Sequence, residues 1–83
     1  MNHYIVFETV DNIILDRGVL RKGETSGIPE RVKAKAARIA NRHGLLPEEI
    51  RYLTIPYDLM NEYNYIVRGD DGRDRYNHRS TKI

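Results

Sequence analysis

Three features of the chain predict a small α+β fold. Residues 3–9 and 13–21 are rich in β-branched and aromatic types, residues 29–43 carry helical periodicity, and β-rich runs resume after residue 50. The expected architecture is a single-layer sheet of four strands, five if the tail joins it, in the order β-β-α-β-β with the one helix packed on one face. At 83 residues the chain has room for one hydrophobic core.

The first run, His-Tyr-Ile-Val-Phe-Glu-Thr, alternates so that Ile5 and Phe7 share a face. Val10-Asp11-Asn12 supplies turn chemistry, so the first two runs form a hairpin, and Gly18 interrupts the second where a bulge or twist is expected. A polar stretch with Gly23 and Gly27 then leads into the helix. Pro29 suits a first turn, because its missing N–H has no partner there, and Glu30 faces the positive end of the helix dipole. Ser26 is the best candidate for a side-chain cap, although Ile28 precedes proline and resists helical angles. Gly44 ends the helix, and Leu45 and Leu46 are expected to fold back over its last turn.

Leu46-Pro47-Glu48-Glu49-Ile50 is a tight turn into a strand over residues 51–55, with Leu53 and Ile55 on one face and Pro56 as its stop. A further strand is expected over residues 62–68, with Tyr63, Tyr65 and Val67 on one side and Ile66 on the other. Gly69-Asp70-Asp71-Gly72 is a reverse-turn cluster that returns residues 73–79 as an edge strand or leads into a disordered tail. Past Arg68 only Tyr76 and Ile83 are candidates for burial. The chain therefore divides into a compact unit over 1–68 and a polar, basic C-terminal hairpin or flexible tail over 69–83. The helix is expected to set Val32, Ile39 and Ala40 on Ile5, Phe7, Leu15 and Leu53. Tyr4, Val6, Tyr52 and either Tyr63 or Ile66 are left on the open face.

A composition of 40% apolar and 31% charged residues is that of a globular domain. The absence of cysteine excludes disulfides and thiolate metal ligands. No apolar run approaches the ~20 residues that span a bilayer and the start lacks a signal-peptide core, which points to the cytoplasm. A net charge of +2 and a pI of about 9.0 lean towards acidic or polyanionic partners, yet fall well short of the excess carried by dedicated nucleic-acid proteins.

The patterned feature beyond the fold is a stripe of like charge. Arg31, Lys35, Arg38 and Arg42 recur at i, i+4, i+7 and i+11, within a helical sector of roughly 60°, and no acid is interleaved. The apolar set Val32, Ala36, Ile39 and Ala40 is centred about 110° further round, so the helix buries one side and presents the other. A helix tuned only for solubility interleaves its signs at i±4. Six tyrosines, one phenylalanine and no tryptophan form the second feature, with Tyr63 and Tyr65 adjacent on one predicted strand face. Tyrosine buries area at low entropy cost while keeping a polar handle, which suits an interface, and its ring can stack on a base.

Catalytic chemistry finds no support. His3, His43 and His78 are scattered, Asp70, Asp71 and Asp74 lack the regular spacing of a calcium loop, no serine or threonine sits in a nucleophile motif, and no glycine-rich phosphate loop is present. The expectation is a small non-catalytic protein-binding module, without cofactor or metal. It is a regulator, adaptor or inhibitor, of phage or mobile-element type by analogy of scale alone. It docks on an acidic protein surface through Arg31, Lys35, Arg38, Arg42, Tyr63 and Tyr65. The alternative is a nucleic-acid-binding domain that sets the same helix edge against phosphates. No membrane association is expected, and a homodimer stays open.

Overall fold

The structure, a computed structural model, describes residues 3–21 and 30–83. The loop ahead of the helix, with Ser26 and Pro29, lies outside the described residues. The elements are strands β1 (His3–Glu8) and β2 (Ile14–Leu20), helix α1 (Glu30–Arg42), and strands β3 (Arg51–Pro56), β4 (Ile66–Arg68) and β5 (Asp74–Tyr76). Short 3₁₀ turns over Pro47–Glu49 and Tyr57–Leu59 flank β3.

Period-two alternation makes β1 two-sided: Ile5 and Phe7 point one way, Val6 and Glu8 the other, and all four are buried. Such a strand belongs in the middle of a sheet, and the order is β2-β1-β3 with both pairings antiparallel. Strands β2 and β3 are consequently parallel to each other but separated by β1, and α1 forms the connection between them.

On one face, Val32, Ala36, Ile39 and Ala40 of α1 pack with Ile5, Phe7, Leu20 and Ile50, flanked by Leu15, Leu45 and Tyr52. The expected apolar stripe of α1 is therefore the buried one, but its partner on β3 differs. Tyr52 pairs with Phe7 and lies under the helix, whereas Leu53 pairs with Val6 and lies on the far side. The pairing of Arg51 with Glu8 sets the register, so the more apolar face of β3, expected under α1, is turned away from it and Tyr52, expected on the open face, takes its place.

The second correction concerns the sheet itself. In place of one layer of four or five strands the described residues form two sheets, the three-stranded one and a separate β4–β5 hairpin. After β3 the chain turns back on itself, Met60 N–H donating to Tyr57 C=O and Glu62 N–H to Leu59 C=O. Only Ile66–Arg68 of the expected 62–68 strand is extended in a ladder. Tyr63 instead bridges Lys82, Asn64 N–H donates to Thr81 C=O and Ile83 N–H to Glu62 C=O. Residues 57–83 close over the face away from α1, where Val6 and Ile55 are at most 1% exposed. The physical reason is burial: that face of β1 and β3 is apolar, and covering it gains more than lengthening the sheet edge.

Local sequence accounts for the turns. Thr9 Oγ1 accepts from Asp11 and Ile13 N–H while Asn12 takes a left-handed φ of 67°, tightening the β1–β2 connection. The irregularity in that pairing falls at Leu15, which is skipped between Phe7↔Asp16 and Glu8↔Ile14, and not at Gly18. Gly18 serves close approach: a Cβ there would lie 3.0 Å from Ile5 Cγ2 and 3.5 Å from Lys35 Nζ. Gly44, at φ +70°, ends α1 with Leu45 N–H on Ala40 C=O at 2.8 Å and Gly44 N–H on Asn41 C=O at 3.3 Å. Leu45 packs on the core as expected, but Leu46 remains 58% exposed. Gly44→Ala forces a side chain into the left-handed region and is expected to cost about 1 kcal/mol, a fall in Tm of about 4–8 °C by thermal denaturation.

Candidate functional site

A helix laid beside a strand meets backbone groups at matching intervals. Four residues of helix advance about 6 Å and two residues of strand about 6.6 Å, so side chains at i and i+4 reach carbonyls two residues apart. This is how α1 meets β2: Arg31 Nη2 donates to Val19 C=O at 3.1 Å and Lys35 Nζ to Arg17 C=O at 2.8 Å. Lys35 also stands 3.9 Å from the Asp16 carboxylate and 5.4 Å above the centre of the Phe7 ring. The regular edge of β2 ends at the Leu15 irregularity, and the stripe divides there. Arg38 and Arg42 are exposed, and among the described residues neither is held by a hydrogen bond or ion pair. Ala34, Ala37 and Asn41 are exposed on the same helix.

Tyr63 and Tyr65 come together without a shared strand, their ring centroids 5.7 Å apart and their planes inclined by 42°. With Arg17, Met60, Asn64, Ile66 and Ile83 they line a cleft of about 320 Å³. Arg17 Nη2 is bound to the Asp74 carboxylate at 2.7 Å. Arg17 pairs with Val6 and shares its face, so this cleft lies on the side of the sheet away from α1. The cationic helix edge and the tyrosine pair, expected to act together, therefore face opposite sides of the sheet.

The strongest polar cluster escaped the sequence reading. Glu8 has no exposure, and its carboxylate meets His78 Nε2 at 2.9 and 3.1 Å and Arg51 Nη2 at 3.3 Å. Arg51 Nη2 also reaches Asn12 Oδ1 at 3.2 Å, and Tyr76 packs against the His78 ring at 4.8 Å. A buried carboxylate is costly unless donors converge on it. Here one donor comes from β3 and another from the C-terminal segment, which fastens that segment to the sheet. The one sequence signal was an acid at an inward position of a strand with two apolar faces.

Among the described residues three groups have perturbed acidity. Burial, and then the neighbouring Tyr65 and Glu8, push the Tyr76 phenol above 10.0. Tyr57, ring to ring with Tyr4 at 4.2 Å, is raised by desolvation and by Tyr4. In the β4–β5 turn the Arg73 N–H holds Asp71 below 3.8, helped by the charges of Arg75 and Arg73. Among the described residues there is no group of three or more potential metal ligands, and no helix is long and apolar enough to cross a membrane. Comparison with protein families, curated proteins and solved structures finds no match.

Truncation of His78 to Ala leaves Arg51 as the remaining donor to a buried carboxylate and is expected to cost about 1–3 kcal/mol in urea denaturation, with His78→Gln recovering part of the loss. A phenol whose folded pKa is raised contributes stability that is complete below the unfolded value of 10.0 and lost as pH rises through the folded one. Stability is therefore expected to fall above pH 10, less steeply in Tyr57→Phe/Tyr76→Phe, as read from denaturation midpoints across that range.

Proposed function

We propose that the protein is a non-catalytic binding module that docks on an acidic protein surface through the C-terminal half of α1. The carrying observation is the division of the cationic stripe. Arg31 and Lys35 stitch the helix to β2 and fix its orientation, so Arg38 and Arg42 stand on a rigid element with their guanidinium groups in water. The helix backbone beneath them is already ordered, so meeting a carboxylate costs side-chain rotamers alone, and a guanidinium binds it in a bidentate fork.

Charge distribution supports the same reading. α1 holds five basic residues against the single acid Glu30, whereas the whole chain nets only +2, so the remainder is net acidic. A cationic helix on an otherwise acidic body favours one approach direction for an acidic partner. Nucleic acid is the weaker occupant, because with Arg31 and Lys35 engaged by β2 the stripe has two guanidinium groups left for phosphates and little counterion release to gain.

The matched test is Arg38→Glu/Arg42→Glu, a change in exposed side chains expected to leave stability within about 0.5 kcal/mol of the parent. Affinity capture with parent and variant as baits, followed by quantitative mass spectrometry, is expected to recover a protein with an acidic surface on the parent alone. Equal recovery of every protein on both baits would remove the proposal. Retention on nucleic acid that falls steeply between two salt concentrations would replace it with the phosphate-binding reading. Lys35→Glu, by contrast, sets a carboxylate against Asp16 and the Arg17 carbonyl and is expected to lower Tm.

A further inference from the structure

The two edges of the three-stranded sheet are not alike. Strand β2 is occupied: Arg31 and Lys35 take the carbonyls of Val19 and Arg17, and at its start Ile13 bridges Arg75 of β5 while Asn12 C=O accepts Tyr76 N–H. Strand β3, among the described residues, pairs with β1 alone. Among the described residues no backbone group of Arg51–Pro56 makes a hydrogen bond outside that ladder. The devices that keep edges apart stand at the two ends of β3 alone, Arg51 at its start and Pro56 at its last position, where the missing N–H takes one hydrogen bond from the outer edge. The strand runs through six residue pairs with β1 without a bulge, and residues 52–55 are uncharged.

We propose that β3 pairs antiparallel with β3 of a second copy, across a twofold axis perpendicular to the sheet and centred on Thr54. Backbone groups that point away from β1 need a strand or water as partner. The side-chain pattern fits a second copy of the same strand as occupant. A twofold of this kind pairs residues whose numbers sum to an even value, so each residue meets one from the same face of the sheet. Centred on Thr54, the pairing sets Leu53 opposite Ile55 of the second copy, Tyr52 opposite Pro56, and Thr54 opposite itself. Leu53 and Ile55 already continue the rows of Val6 and Tyr4. The apolar rows then run unbroken through both copies, from Tyr4 and Ile55 into Leu53 and Val6 of the second. Half-buried Leu53 acquires an apolar neighbour, and no charged side chain of residues 52–56 is placed against another.

The axis keeps both copies of α1 on the same face, so Arg38 and Arg42 are presented twice. The strand pairing itself does not depend on what α1 binds. A contact of about five residues a side is small, so the dimer is expected to form at high concentration and dissociate on dilution.

Sedimentation velocity and amide hydrogen exchange at micromolar and millimolar concentration test this on the full chain. The expected result is a dimer at the higher concentration, with added protection confined to alternate amides of β3. Thr54→Lys opposes two ammonium groups at the axis and is expected to weaken association by roughly an order of magnitude, with the far-UV spectrum and Tm unchanged. Thr54→Val, which keeps the branched shape, is expected to strengthen it. A chain that stays monomeric at millimolar concentration, or a dimer whose added protection falls on α1 or on β4–β5, would overturn the proposal.

Discussion

Burial of β1 on both faces is the constraint from which the other elements take their places. A central strand that points Ile5 and Phe7 one way and Val6 and Glu8 the other exposes two apolar surfaces, and neither can be left to water in a chain this short. One amphipathic helix covers the first. The second falls to a C-terminal segment of polar composition, which has few apolar side chains to offer. It is held by backbone bridges, by Tyr57 on Tyr4 and by His78 on Glu8. Glu8 is thus both the cost of closing that face and the means of closing it, since a carboxylate sealed from water gives His78 and Arg51 a reason to stay where they are.

Much of this was legible in the residues. Helix α1 was written in its period and in Gly44, and the strands around β1 in their β-branched and aromatic content. The side of β3 that meets α1 was not, because the more apolar set, Leu53 and Ile55, faces the second covered surface of the sheet, which a single layer under one helix does not provide. The closure over the second face was hidden for a different reason. Its anchors are hydrogen bonds between residues far apart in the chain, Glu8 and His78 being 70 positions apart, and no local pattern announces such a contact. A reading based on burial finds little to bury after Arg68 and leaves a hairpin and a flexible tail as equal alternatives.

For the binding surface, the pattern was visible and its division was not. A run of cations at helical spacing has two uses that look identical in one dimension: contact with a partner, or occupation of carbonyls on a neighbouring strand. Which use applies at each position depends on the near-match between four residues of helix and two of strand, and on how far the regular strand extends. In this protein that match serves Arg31 and Lys35 and fails beyond Leu15, so one periodic motif acts first as structure and then as surface.

The same contacts bear on the sheet's edges. Cations that fill carbonyls of β2 also make that strand a poor template for another chain, and β5 shields its beginning. Because α1 crosses from β2 to β3 over the central strand, it lies along β2 and leaves the outer side of β3 without a comparable partner among the described residues. The asymmetry is a consequence of topology. One helix can stitch one edge of the sheet, and among the described residues the strand that enters directly from the Pro47–Glu49 turn receives no such cover. What meets the outer side of β3 is then decided by its own sequence, an uncharged alternation of Tyr52, Leu53, Thr54 and Ile55 that is complementary to its own reverse.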